Sequence, residues 1–117
     1  MGKFDPAHET VLKNMLRDTP AAKPGKMFGY PAYKVNGKLA VGLFDTGIVA
    51  KVGPERAKAL IGKAGISTFE PQPGRAWKDW ILLTGNFDQH RAIFEEAVRY
   101  VQAETDSAVS DVSERKV

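Results

Sequence analysis

The sequence predicts an α+β domain in which an antiparallel β-meander and one further strand are covered by N-terminal, middle and C-terminal helices, in the order α-β-β-β-α-β-α. Three observations indicate this class. Apolar residues recur at helical spacing near both ends of the chain, whereas they alternate with small or polar residues across the middle. The dipeptide Asn36-Gly37, typical of a tight hairpin turn, lies inside the alternating stretch. The length of 117 residues, with 43% hydrophobic and 26% charged residues, fits one folded domain.

Residues 5–18 are predicted to form an amphipathic helix. Asp5 can accept hydrogen bonds from the first free backbone N–H groups, and Pro6 suits the first helical position because it has no N–H. The apolar face comprises Val11, Leu12, Met15 and Leu16. Thr19 ends the helix because the proline after it disfavours helical backbone, and residues 20–25 are predicted to be a connector.

Residues 26–52 are predicted to form three antiparallel strands. A two-residue turn at Asn36-Gly37 gives the following pairs: Val35 with Lys38, Tyr33 with Ala40, and Ala32 with Val41. A second turn at Thr46-Gly47 leads into a strand over 48–52. Its register stays open, because a three-residue turn starting at Asp45 would shift the pairing by one residue and turn each side chain to the other face.

Pro54 is predicted to begin a second helix, which Gly65 ends in a left-handed conformation. The buried face of this helix comprises Ala57, Leu60, Ile61 and Ala64. After a loop at 71–74, residues 77–83 are rich in aromatic and aliphatic side chains and are predicted to form the last strand.

The third predicted helix runs from Asn86 to about Ala103, and Asn86 with Gln89 resembles a capping box at its start. Residues 104–117 show no periodicity, so the sequence predicts a single domain over 1–103 followed by a disordered tail. On this interpretation, removal of the tail leaves folding intact.

Composition argues against several classes of function. The chain has no cysteine, which excludes disulfides, thiolate metal sites and cysteine nucleophiles. No apolar stretch has the length of a membrane span or the pattern of a signal peptide, so we expect a cytoplasmic protein that does not bind membranes.

Motifs for catalysis or cofactor binding are not found in the sequence. His8 and His90 are its only histidines; neither lies in a metal-binding pattern, and the Gly-Lys pairs lack the spacing of a phosphate-binding loop. We therefore predict no catalytic residues, no metal and no cofactor, and favour a function other than catalysis. An enzyme would need sequence-distant groups to meet in a cleft, for example His90 near Asp79.

Positive charge is concentrated in the middle of the chain. Residues 23–63 contain eight basic and two acidic side chains, whereas the segment from Glu104 onwards carries a net charge of −2. Such a basic region is typical of a solvated surface, and it can also favour an anionic partner such as nucleic acid.

Two patches are candidate binding sites. The small residues Ala40 and Gly42 are predicted to leave a shallow area on one sheet face, bordered by Tyr33, Phe44 and Lys51. Aromatic rings beside a lysine suit a peptide, a base or a small planar anion. The alternative is that a helix packs closely over the small residues.

The second patch comprises Arg75, Trp77 and Lys78, with Trp80 nearby. The two tryptophans have opposite parity on a strand, so at most one faces the core if the other face is solvated. An outward tryptophan beside basic side chains is typical of an anchor in a protein interface. The alternative is that both sheet faces are covered and both rings are core.

Two segments together resemble the TfoX N-terminal domain. The first, 26–38, has the sequence KMFGYPAYKVNGK, and the second comprises FEPQPGR at 69–75 and KDWILL at 78–83. The likeness covers about residues 10–103. Small stand-alone domains of the YjbR and DUF1801 kinds share part of the hairpin pattern and are the second candidate.

The resemblance implies a link to regulators of natural competence that act with a transcription activator, and it implies no catalytic residues. Those regulators also have a C-terminal domain. Together with the two patches, it predicts a non-enzymatic regulatory or protein-interaction module whose partner is another protein or a second copy of this chain. Binding of nucleic acid or a nucleotide by the basic hairpin region is the alternative.

Overall fold

The computed structural model describes residues 5–44, 47–85 and 87–116, with side chains up to Asp106. The elements are, in chain order, α1 (Pro6–Met15), β1 (Lys23–Met27), β2 (Tyr30–Val35), β3 (Lys38–Phe44), β4 (Gly47–Lys51), α2 (Pro54–Leu60), β5 (Ile66–Thr68), β6 (Trp80–Leu83) and α3 (Arg91–Lys116). The predicted α+β class is confirmed. The described residues form one antiparallel sheet of six strands, in the order β1-β2-β3-β4-β6-β5.

Two of these strands are missing from the predicted element order. Most of β1 was predicted to be a connector because the segment contains Pro24 and Gly25. However, β1 lies at the edge of the sheet, and an edge strand tolerates a proline on the side where no neighbouring strand needs a backbone N–H donor. At the opposite edge, β5 has only three residues, too few to show a period of two. Both short edges limit pairing with another sheet.

The first hairpin has its predicted turn but a different register. Val35 pairs with Lys38 as predicted, whereas Tyr33 pairs with Val41 and not with Ala40. The register shifts beyond Tyr33 and leaves Ala40 as the extra residue of a β-bulge. The predicted pairs of Tyr33 and Ala32 are therefore wrong by one position.

The second hairpin pairs Phe44 with Gly47 and Leu43 with Ile48. Gly47 thus belongs to the strand and not to the turn. Asp45 and Thr46, where the sequence predicted the turn, lie outside the described part of the chain.

All three predicted helices are present, but the residues at which they begin or end differ from the predicted ones. The backbone N–H of Ala7 donates to Asp5 Oδ1 at 2.9 Å, which confirms the predicted cap of α1. The second helix ends at Leu60, so Ile61 and Ala64, which the sequence placed in its buried face, are exposed. The predicted start of the third helix at Asn86 lies outside the described residues, and α3 begins at Arg91.

The two faces of the sheet are covered differently. One face packs against all three helices and holds the larger core, which includes Leu12 of α1, Leu60 of α2 and Phe94 of α3. On the other face a smaller core forms from Met27, Ala32, Val49, Phe69 and Trp80. The larger core fixes the fold, whereas the second face carries the aromatic residues considered below.

The C-terminal helix continues past Ala103 and contacts the sheet there. Lys51 Nζ donates to Glu104 Oε1 at 2.9 Å, and Asn36 Nδ2 donates to Thr105 Oγ1 at 2.7 Å. The buried Thr105 hydroxyl in turn donates to the carbonyl oxygen of Val101. Two residues that the sequence assigned to a tail are therefore in contact with the body; the domain boundary at 103 itself stays a prediction.

Because of these contacts, we expect removal of residues 104–106 to destabilise the fold. A chain that ends at Ala103 should lose about 1–2 kcal/mol of unfolding free energy relative to a chain that ends at Asp106, because it loses one hydrogen bond and one ion pair. Urea unfolding of both chains measures the difference. Equal midpoints would show that Glu104 and Thr105 contribute nothing to the fold.

The second hairpin depends on a glycine at the start of β4. A Cβ on Gly47 would overlap the carbonyl oxygen of Leu83 and lie 2.9 Å from its carbonyl carbon. Gly47→Ala should therefore lower the unfolding free energy by about 1–3 kcal/mol, because backbone must shift to admit the methyl group. At Gly85 no atom lies within 4 Å of such a Cβ, so Gly85→Ala should stay within about 0.5 kcal/mol. Thermal melts compare the two, and an unaffected Gly47→Ala variant contradicts the close packing.

Candidate aromatic interaction surface

Five aromatic rings form a continuous cluster on the sheet face that the helices leave uncovered: Phe28, Phe44, Phe69, Trp77 and Trp80. Tyr30 adjoins the cluster through Phe44, at a centroid distance of 6.2 Å. Phe69 is at the centre, with its ring centroid 5.0 Å from that of Phe44 and 5.2 Å from that of Trp77. Phe69 and Trp80 are buried, while Phe44 and Trp77 are half-buried. The cluster therefore has a buried base and a partly accessible top.

The segment 69–77 brings these rings together because it closes on itself. Its ends are joined by a hydrogen bond from Trp77 N–H to the Phe69 carbonyl oxygen at 2.9 Å. Inside it, Arg75 N–H donates to the Gln72 carbonyl oxygen at 2.9 Å. The next strand starts only at Trp80. Trp77 thus lies in a loop, where the parity argument drawn from a strand does not apply.

Phe28 is the most exposed ring of the cluster and has an unusual backbone. Met27 pairs with Tyr30, so Phe28 and Gly29 are the two turn residues of the β1–β2 hairpin, with φ of 55° and 82°. A bulky residue is strained at positive φ, at a cost of about 1–2 kcal/mol. The residue is nevertheless 52% exposed, so burial does not explain why a phenylalanine occupies this turn position.

The backbone of the Phe28-Gly29 turn can be compared with that of the Asn36-Gly37 turn in the same chain. Its two residues have φ of 52° and 83°, nearly the same as those of Phe28 and Gly29. Asparagine tolerates this conformation because its short polar side chain can bond locally, whereas phenylalanine has no such compensation. The chain therefore uses the same turn twice, once with a favoured residue and once with an unfavoured aromatic one.

Two shallow clefts flank Trp77. The first, of about 320 Å³, lies between Trp77 and Ile61 and is lined by Lys58 and Lys78; the second, also about 320 Å³, lies between Trp77 and Phe28 beside Arg75. Phe28 and Ile61 are the exposed large hydrophobic residues of the described part of the chain. We call the following set the Trp77 surface: Phe28, Lys58, Ile61, Arg75, Trp77 and Lys78.

The predicted second patch is thus present as a group. Arg75, Trp77 and Lys78 all line the clefts, and Phe44 joins them through its contacts with Phe28 and Phe69. Trp80 is buried below them, so one tryptophan is core and the other is partly accessible.

The predicted first patch is not formed. Ala40, as the bulged residue, is buried in the helix-covered core, and Gly42 is buried on the other face, where a Cβ would meet Met27 at 2.9 Å. Small residues here allow close packing and leave no shallow area. This outcome corresponds to the alternative of close packing, although a methionine and not a helix covers Gly42.

The residues predicted to border that patch lie apart. Tyr33 packs against the helix-covered core, and burial, with the charge of Glu9 as a second cause, raises the pKa of its hydroxyl. Lys51 is held by its ion pair with Glu104. Neither contributes to the cluster around Phe44.

Sequence reasoning missed Phe28, Phe69 and Ile61 as site residues. Phe28 precedes a glycine between two strand-like segments, and this is the position of a hairpin turn. An aromatic residue at a turn position is unusual, and it is the feature of the sequence that could have indicated a site residue. Phe28 and the segment 69–75 also belong to the two stretches that resemble the TfoX N-terminal domain, and the fold brings them into contact.

One of the two histidines, His8, lies near an acidic side chain and an aromatic ring. His8 Nε2 is 3.7 Å from Asp5 Oδ2, and its ring lies edge-on to Phe87 at 4.8 Å. Among the described residues, no group of three histidine or carboxylate side chains is placed to hold a metal. Within the same residues, no helix has the length and apolar character needed to cross a membrane.

The strain at Phe28 can be measured. Phe28→Asn should keep the unfolding free energy at or above that of the wild type, because relief of about 1–2 kcal/mol of backbone strain offsets the lost ring contacts. Phe28→Ala is the control, since it loses the ring without gaining a turn-forming side chain. Urea unfolding should place the asparagine variant above the alanine variant by about 0.5–1 kcal/mol; the reverse order contradicts the strain.

No protein-family model, curated protein or solved structure matches this chain. The resemblance to the TfoX N-terminal domain therefore stays a prediction from residues 26–38 and 69–83.

Proposed function

We propose that this protein is a non-enzymatic interaction module that binds a protein partner through the Trp77 surface. The observation that carries the proposal is Phe28, which is both strained and half exposed. A strained aromatic ring held at the surface adds little to stability, whereas aromatic rings are the usual anchors of protein interfaces. Strain of this kind is typical of functional positions.

The composition of the surface supports the same function. Tryptophan and arginine are enriched among interface residues that contribute most of the binding energy, and Trp77 and Arg75 line one cleft together. The rings rest on the fully buried Phe69, so they are preorganised and little conformational entropy is lost on binding. Ile61 and Lys58 extend the apolar and basic character onto the end of α2.

A regulatory role rests on the resemblance alone. If the chain is similar to the TfoX N-terminal domain in function as well as in sequence, its partner acts in the control of transcription, including that of competence genes. We propose a cytoplasmic location on the basis of the cysteine-free composition.

The alternative, nucleic-acid binding by the basic middle region, has weaker support. Lys51 and Arg56 form ion pairs with Glu104 and Glu96 of α3, each at 2.9 Å. The remaining lysines are divided, because β1 lies at one edge of the sheet whereas α2 packs near β5 and β6 at the other. A nucleic-acid backbone is bound best by a continuous basic stripe.

Selection of random peptides displayed on phage tests the proposal. Peptides recovered on the wild-type protein should bind Trp77→Ala and Phe28→Asn at least about tenfold more weakly, because each variant removes an anchor ring. Gln102→Ala, an exposed position on α3, is the matched control and should keep full affinity. Phe28→Asn separates binding from folding because its fold is expected to be at least as stable.

Fluorescence anisotropy with the labelled peptides gives the affinities. The proposal fails if recovered peptides bind the ring variants as tightly as the wild type. It also fails if repeated selection enriches no peptide.

A further inference from the structure

We infer that the Trp77 surface takes an acidic peptide segment that carries one large apolar side chain. This inference rests on the proposed function and adds the chemistry of the partner. The apolar side chain enters the cleft between Ile61 and Trp77, and carboxylates on either side of it meet Lys58, Lys78 and Arg75.

Most of the surface that lines the first cleft is apolar. Pro54, Ile61 and Ala76 face Trp77 there, and each offers carbon atoms with no competing hydrogen-bond group on the side chain. The cleft volume of about 320 Å³ admits one large side chain with its neighbours, not a whole folded domain. Ile61 itself is 36% exposed, so an apolar occupant would remove its surface from water.

The rim of the two clefts, formed by their charged lining residues, is basic. Lys58 and Lys78 line the first cleft and Arg75 lines the second, while no aspartate or glutamate lines either of them. None of these three cations forms an ion pair with another described residue, in contrast to Lys51 and Arg56, which are paired with α3. Three unneutralised cations around apolar rings complement an acidic segment.

Acidic side chains near the site in sequence do not reverse this charge. Glu55 and Glu70 are exposed neighbours of the clefts and are not part of their walls. Asp79 does not line either cleft. Its charge is one of the smaller causes of the raised pKa of the Tyr100 hydroxyl, after burial and Glu104. The charged side chains that line the two clefts are therefore all basic.

A peptide fits this surface better than single-stranded nucleic acid does. Bases bind by stacking on a free aromatic face. The Trp77 ring is already in contact with Phe28, Phe69 and Trp80, at centroid distances of 5.2–5.6 Å. A half-buried ring with three ring neighbours is less open to base stacking than a free ring, whereas the aliphatic wall of the first cleft suits a branched or aromatic side chain.

Four ligands test the inference by NMR titration of isotope-labelled protein, followed at the indole N–H of Trp77. They are a short aspartate-rich peptide with a central tryptophan, the same peptide with serine at the centre, a lysine-rich peptide with a central tryptophan, and a single-stranded oligothymidylate. We expect the acidic peptide with tryptophan to bind at least about tenfold more tightly than each of the others, because it alone uses both halves of the site.

Charge reversal at the rim is the matched test. The double variant Lys58→Glu/Lys78→Glu should prefer the lysine-rich peptide, while Lys38→Glu, at an exposed position outside the clefts, should keep the original preference. All three lysines are exposed, so the variants should fold.

The outcomes separate the two proposals. If the lysine-rich peptide binds the wild type as tightly as the acidic one at the Trp77 indole, the acidic chemistry is overturned and the interaction module stands. If no peptide shifts that indole at millimolar concentration, both proposals fail. Tightest binding by the oligothymidylate also overturns both, in favour of a nucleic-acid function.

Discussion

The structure depends on how the second face of the sheet is closed. All three helices lie against the first face, so the apolar residues of the other face need another cover. The segment 69–77 supplies it: Phe69 is completely buried against the sheet, and its carbonyl oxygen holds the N–H of Trp77. A loop of this size covers less area than a helix, so the rings around Phe69 are left partly in water.

Because the loop covers the second face only in part, the smaller core and the Trp77 surface are continuous with each other. Phe69 belongs to the smaller core, and Trp77 rests on it while lining both clefts. The rings at the surface are held by the same contacts that bury the rings below. A partner would thus meet a surface that is already ordered. Lys58 of α2 and Ile61, which follows that helix, add a further wall to it.

Local signals accounted for the parts of the fold that sequence reasoning predicted well. Asp5 before a proline and Asn36-Gly37 between two strands each determine a few backbone angles, and both behave as predicted. The predictions that failed concern features that depend on residues far apart in the sequence. The bulge at Ala40 turned the predicted patch into core, and the edge position of β1 made a strand of a segment with proline and glycine. Trp77 was predicted as a site residue, but its position beside Phe28 and Ile61 was not. That position depends on the closure of the loop 69–77, which no short sequence pattern predicts.

The contact between Asn36 and Thr105 has a consequence for synthesis of the chain on the ribosome. The two residues are 69 positions apart, and α3 covers the central strands β2, β3 and β4. Those strands are translated well before the helix that shields them, so their apolar side is unprotected while the nascent chain is still growing. The sheet can reach its final packing only after the C-terminal helix has left the exit tunnel.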